Sequence, residues 1–580
     1  MLVASCAPSA TGPGTNVPHP THEQPQVRLL PAALTDSTDA MLARMSTRQK
    51  VAQLVMPWLL GDYVPSDDPT MQRAMMWVDS LEVGGIIIST GTPLDIAAKL
   101  NALQRRAPLP LLIAADFEGG VVLRIPAGTA FPTQMGIGAT GRDADAFELG
   151  RITALEGRAV GVHLAFAPVA DVNNNPNNPI INTRSFGADA RAVSRLVAAT
   201  VRGMREGGIL STAKHFPGHG DTETDSHLAM PTITSSWARF DSLELVPFRA
   251  AIAAGVDAVM SAHIAVPALD PGSRLPGTLS PAVMTGILRD SLNFRGLITT
   301  DALDMGGIVR EIGADEAVIR AFEAGSDLLL MPANPAAAIT AVTAAVESGR
   351  VPISRLDRSV RKILELKGRM GLFARREVDI AAIPNVVGSA SFKRIARDIT
   401  ERSIVLLKDS LGTVDSLRAG ARRIAVVTVA DGSTTLGATL ASELRRAGHT
   451  VTSAALPTDP APRDLARADS VIADADVLVL ATSVRWGSYR GTIGLAPVTA
   501  ALLTDLAARK RSVLISFGSP YIIAQVPTAS SFMIGWSNTA VVELSISGAL
   551  TGRLAITGKS PTPVPPGYPI HAGLQRKATR

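Results

Sequence analysis

Ile209–His227 reads ILSTAKHFPGHGDTETDSH. Its first part, ILSTAKHF, is an apolar strand-like run that must stop at Pro217, because proline has no N–H to continue a ladder. The remainder is then a loop above the end of that strand. Similar runs recur along the chain: GGIIIST from Gly84, LPLLIAAD to Asp116, HLAFAPVAD to Asp171, VDAVMSAH to His263, GLITTD to Asp301 and SDLLLMP to Pro332. Each is apolar on both faces and helical patterns separate them, which predicts a parallel sheet covered on both sides. So many repeats predict a closed (β/α)8 barrel of the TIM type, an α/β fold. Most runs carry a polar residue at or beside the C-terminal end: Asp116, Asp171, Lys214 with His215, His263 and Asp301. Barrel enzymes hold their reacting groups there.

The alternation restarts near Ile404 with SIVLLKD, RIAVVTVA, ADVLVLATS, RSVLISFGSP and SFMIGW, which predicts a smaller, doubly wound αβα sandwich. The expected division is a leader and linker over 1–27, the barrel over 28–385, the sandwich over 386–562 and a tail over 563–580. VADGSTTLGAT, at the end of the second of these runs, matches neither nucleotide-binding glycine pattern.

Lys214–His227 holds one lysine, three histidines (His215, His219, His227), two aspartates (Asp221, Asp225) and one glutamate (Glu223). Three readings compete. A metal site is opposed by Lys214 and by the lack of paired histidines at ligand spacing. A solvated polar loop is seldom so dense in titratable groups. Acid/base chemistry suits the spacing, since Asp225 lies two residues before His227 and can bond its imidazole, setting its tautomer and basicity.

KHFPGHGDTETDSH resembles the signature of the bacterial β-N-acetylglucosaminidases of glycoside hydrolase family 3. The resemblance implies that His227 is the general acid/base, that Asp225 assists it, and that Lys214 and His215 hold sugar hydroxyls. GLITTD followed by ALDM resembles the family's nucleophile segment and implies Asp301, rather than Asp304, as the nucleophile; an aspartate there also suits a helix cap. DFEGGVVLRI resembles the family's D-Q-E-G-G-R-V-x-R and carries over Asp116 and Arg124, with Phe117 where glutamine is usual and Val121 where arginine is usual. DVNNNPNNPIINTRSFG, Asp171–Gly187, carries over Arg184. His263 matches a position at the barrel mouth and reads equally as structural. RWGSYRG, with Tyr489 and Arg490, follows a strand of the second sheet and is a candidate contributor to the site.

The implied activity is that of a retaining exo-β-N-acetylhexosaminidase acting on terminal N-acetylglucosamine of peptidoglycan- or chitin-derived glycans, without metal or cofactor, through a covalent glycosyl-enzyme. A histidine acid/base leaves less negative charge near the attacking group than a carboxylate would, so phosphorolysis is a variant of the same site. A β-glucosidase on the same fold is a rival that lacks the D-S-H loop. A non-catalytic wall-binding lipoprotein is a rival of another class, and it predicts losses among Asp225, His227 and Asp301.

The 580 residues are 46% apolar, 18% charged and only 4% aromatic. That balance favours a closed pocket over a broad sugar-stacking surface. The net charge of +5 comes from scattered lysines and arginines, with no long basic run to suggest a nucleic-acid partner. Cys6 is the single cysteine, so no intrachain disulfide forms. It ends LVASC, which resembles a lipobox, and the short apolar run before it points to a start codon further upstream. A lipid anchor through Cys6, a periplasmic or cell-envelope location, and a monomer or weak dimer are expected.

Overall fold

A computed structural model describes residues 32–226, 228–430, 435–484, 487 and 493–579. Cys6, His227, Tyr489 and Arg490, and 431–434 of VADGSTTLGAT lie outside the described residues.

The barrel strands are β1 (Val55–Met56), β2 (Trp58–Leu59), β3 (Gly85–Ile88), β4 (Leu112–Ala115), β5 (Leu164–Ala165), β6 (Leu210–Phe216), β7 (Ala258–Ser261), β8 (Leu297–Thr299) and β9 (Leu329–Leu330). From β2 to β8 each pairs in parallel with the next. The ring closes where Thr299 bridges to Leu328 and β9 pairs with β1. Eight strand positions result because β1 and β2 are two halves of one strand. Pro57 divides them, so that the first half pairs with β9 and the second with β3, while the Pro57 carbonyl still accepts from the Ile87 N–H at 2.9 Å. The alternation of apolar runs does not pick out this strand, since a central proline disguises it. The strand ILSTAKHF does end at Pro217, with all seven residues of β6 buried.

The covering helices pack closely. Those at Asp143–Ala159 and Ala190–Glu206 meet through two glycines: a Cβ on Gly150 would come within 2.3 Å of the Thr200 carbonyl, and one on Gly203 within 2.1 Å of that of Phe147. A larger residue at either would push the helices apart. No helix among the described residues is long and apolar enough to cross a membrane.

The second sheet contains β10 (Val405–Asp409), β11 (Arg423–Ala430), β12 (Thr450–Leu456), β13 (Val477–Ser483), β14 (Arg511–Ser516) and β15 (Ser531–Ile534), in the order β10-β15-β14-β13-β11-β12. All pairs are parallel except β10 with β15. The two sheets are joined through the helix Ala390–Ser403, where Arg402 bonds Asp145 at 2.8 Å and the Ser403 carbonyl accepts from the buried Trp536 indole at 2.7 Å.

Just before β9, Asp327 lies buried among Arg289, Arg355 and Lys362 and accepts from Ser359 at 2.5 Å. Burial alone would raise its pKa, but Lys362, Arg289 and Arg355 outweigh it and bring it down to about 2. A depressed carboxyl contributes stability that is complete above its unfolded value and lost as pH falls through the folded one. Asp327 therefore contributes about 2 kcal/mol at neutral pH, lost between about pH 4 and pH 2. Urea unfolding of Asp327→Asn should show a weaker protein at pH 7 and a shallower acid slope.

Candidate active site

The polar strand ends converge on a cavity of about 340 Å³ at the C-terminal mouth of the barrel. Asp116 and Glu118 enter from the turn after β4, Arg184 from the loop after β5, Lys214 and His215 from β6 itself, and Asp301 from the end of β8. Opposite charges meet throughout. Lys214 Nζ donates to Glu118 Oε1 at 2.7 Å and to Asp116 Oδ1 at 3.1 Å, and Arg124 donates to Asp116 Oδ2 at 2.9 Å. Arg184 grips Glu118 with two bonds of 2.7 Å and also stands 3.1 Å from His215 Nε2. This planar, two-bond geometry requires arginine.

These pairs keep the buried groups charged. For Glu118 burial opposes ionisation, yet Arg184 and Lys214 hold its carboxyl well below the usual range. Asp116 is lowered, against its burial, by Lys214 and Arg124. Lys214 is raised, against its burial, by Glu118 and Asp116. Asp301 follows the same pattern: burial would raise its pKa, whereas His215, His263, the Ala302 N–H at 2.8 Å and Lys214 bring it below the ordinary aspartate value. An aspartate here could have been a helix cap. The next helix, Gly306–Ile312, starts at Met305 without a side-chain cap, so Asp301 has no such part.

His263 braces this segment, with Nδ1 2.8 Å from Thr278 Oγ1 and Nε2 2.9 Å from the Ala302 carbonyl oxygen. Two residues without an expected catalytic or sugar-holding role also organise it. Glu118 joins Lys214 to Arg184, and its signal in the sequence was its place two residues after Asp116. Asp171, fully buried, accepts from the His219 N–H at 2.7 Å and the His215 N–H at 3.1 Å, with His215 Nδ1 2.7 Å from its other oxygen. It thereby ties the loop after β6 to the loop after β5. Within that loop His219 lies between Thr222 (2.9 Å) and Ser226 (3.1 Å), and burial lowers its pKa to about 4. Ser226 lines the cavity, and Asp225, one residue earlier, is buried. The two departures in DFEGGVVLRI point away from the cavity: Phe117 is buried where a Cβ on Gly157 would touch its ring at 2.8 Å, and Val121 is buried where a Cβ on Gly128 would meet its methyl at 2.3 Å. Among the described residues no group of three or more His, Cys, Asp or Glu could hold a metal ion.

The second sheet domain reaches this framework. Tyr521 Oη accepts from Asn173 Nδ2 at 2.8 Å and pairs with Thr562 Oγ1 at 3.0 Å, and burial pushes its pKa up to about 12. Asn173 lies two residues after Asp171, and its N–H donates to the Gly187 carbonyl at 2.9 Å, closing the loop that carries Arg184. Tyr521→Phe should cost about 1–2 kcal/mol in urea unfolding. In steady-state kinetics it should raise KM more than it lowers kcat, since the loop positions rather than reacts.

A barrel mouth lined by Asp116, Glu118, Asp301 and Asp304 together with Lys214 and Arg184 is the place where a barrel enzyme holds its reacting groups, and its enclosed polar floor suits a small polar ligand. Residues 46–366 match the glycosyl hydrolase family 3 N terminal domain, and the chain belongs to that family. It is 32% identical over 548 residues to a beta-N-acetylglucosaminidase/beta-glucosidase of Cellulomonas fimi, covering 90% of this chain and 94% of that one. Its fold matches a family 3 beta-N-acetylglucosaminidase from Paenibacillus sp. with a TM-score of 0.80 and 34% identity, over 90% of this chain and 99% of that one. A beta-glucoside phosphorylase, BglX, matches with a TM-score of 0.84 and 27% identity, over 92% and 97% of the two chains.

Proposed function

We propose that this chain is a retaining exo-β-N-acetylhexosaminidase that releases terminal β-linked N-acetylglucosamine from peptidoglycan- or chitin-derived glycans. Asp301 attacks the anomeric carbon while His227, assisted by Asp225, protonates the leaving oxygen. A covalent glycosyl-enzyme results, and His227 then takes a proton from the water that hydrolyses it. Asp116, Arg124, Arg184, Lys214 and His215 hold the hydroxyls of the sugar. The observation that carries this reading is Asp301 itself, a half-buried carboxylate just beyond β8 that lines the cavity and whose pKa is held below the ordinary aspartate value. A nucleophile must be ionised, and the charges of His215 and His263 beside Asp301 favour that form against its partial burial. The names of the relatives in C. fimi and Paenibacillus support the sugar class.

Hydrolysis of nitrophenyl β-N-acetylglucosaminide should exceed that of the matching glucoside, and His227→Ala should lower kcat by about 10²–10⁴-fold. Equal or greater activity on the glucoside would reassign the enzyme as a β-glucosidase. The likeness to a phosphorylase favours one second reading, in which phosphate replaces water. A sugar 1-phosphate appearing only when phosphate is added would establish it. Attachment to the cell envelope through a lipid on Cys6 rests on LVASC, and mass spectrometry of the native N-terminus tests it. An unmodified Cys6 thiol would end it.

A further inference from the structure

We infer that Trp58 and Leu123 form a leaving-group subsite at the cavity mouth, which takes the apolar C–H face of a second pyranose ring. This inference rests on the exo-acting reading above and adds the part of the substrate that lies beyond the scissile bond.

The cavity has two unlike sides. Charged groups dominate the side formed by β4, β5 and β6, with Leu123 beside Arg124 at its edge and Phe166 and Ile180 among them, whereas Trp58, Ile87, Leu330 and Met331 occupy the sector of β9, β2 and β3. It also has depth. The side chains of Lys214, Glu118 and Arg184 are each less than a tenth exposed, yet Trp58 is 38% and Leu123 40% exposed while still lining the same space. They therefore stand where the cavity opens to solvent. In an exo-acting pocket the terminal sugar fills the closed, polar end, so the group at the opening is the one that leaves.

The backbone that follows Trp58 is braced. The Gly61 N–H donates to the Thr90 carbonyl at 2.9 Å and the Gly91 N–H to that of Arg124 at 3.1 Å, linking three successive loops across the rim. A Cβ on Gly91 would fall 2.5 Å from the Gly61 carbonyl carbon, so the loops touch backbone to backbone. Lys99, buried beneath them, donates to the Leu60 carbonyl at 2.8 Å. The loop after β2 is thus tied to its neighbours, and Tyr63 on the same loop is 73% exposed. An indole face suits a sugar ring's axial C–H bonds, an aliphatic side chain lining the same opening adds apolar surface, and a braced loop loses little entropy on binding.

The test compares kcat/KM for N,N′-diacetylchitobiose with that for methyl β-N-acetylglucosaminide, read as a ratio within each protein. Trp58→Ala should lower this ratio about tenfold, Leu123→Ser should lower it less, and Trp58→Phe should largely restore it. An unchanged ratio in Trp58→Ala, with the wild type active on both substrates, overturns the subsite and leaves the functional reading standing. An equal loss on both substrates also overturns it, placing Trp58 with the terminal sugar. A wild type inactive on every N-acetylglucosaminide overturns the functional reading and the subsite with it.

Discussion

Asp301→Asn lowers kcat by about 10⁴-fold or more, the scale expected when a covalent nucleophile is removed. The change is nearly isosteric. The asparagine oxygen can still accept from Ala302, and His263 can still hold the adjacent carbonyl, so the fold is retained. What disappears is the charge that attacks the anomeric carbon. Circular dichroism and urea midpoints close to wild type, alongside abolished turnover of nitrophenyl β-N-acetylglucosaminide, are the expected pair of results; retained activity would remove Asp301 from the mechanism. The same residue makes a statement about pH. Because its surroundings lower its pKa, Asp301 is already ionised throughout the working range. It therefore adds no acid limb to kcat/KM above about pH 4, and a limb seen higher belongs to another group.

Glu118→Gln has the second large effect, and on stability. Glu118 accepts from both Lys214 and Arg184, whose side chains are 3% and 9% exposed. Neutralising it leaves two buried cations short of a counter-charge, a loss of about 3–5 kcal/mol. Arg184 and Lys214 then lose their alignment, so KM rises as well. The sign with pH follows from the directions. Glu118 is depressed, so its contribution is present above the unfolded glutamate value and disappears as pH falls through its lower folded value. Lys214 is raised, so its contribution is present below the unfolded lysine value and disappears as pH climbs through the folded one. Urea titrations at several pH values should show wild type losing stability at both extremes, with Glu118→Gln much weaker at pH 7 and flatter in acid.

The barrel was legible because its strands are short, apolar on both faces and ended by polar residues, a local pattern that repeats. The strand split by Pro57 was not, since its two halves are recognisable only from their different partners. Edge strand β12 also escaped, because half-exposed TVTSAAL lacks the continuous apolar character of its neighbours. In the site, Asp301, Lys214, His215, Asp116, Arg124 and Arg184 could be named from motifs and do line one cavity. Asp171 was legible as a strand-end aspartate, but its role, like that of Glu118, is a matter of distance. Each joins groups far apart in sequence, 66 residues from Glu118 to Arg184 and 44 from Asp171 to His215.

Taken alone, the stretch from Ile209 to His227 and its repeats determined the fold class, the mouth at which chemistry occurs and the residue types gathered there. These follow from periodicity and from where proline stops a strand, both properties of neighbouring residues. Only the tertiary structure decided which carboxylate meets which cation, that Phe117 and Val121 face away from the site, that Tyr521 of the second sheet domain bonds the loop carrying Arg184, and that Trp58 lines its opening. Those are questions of electrostatic pairing and burial, and they are settled by distances through space between residues that the chain itself keeps far apart.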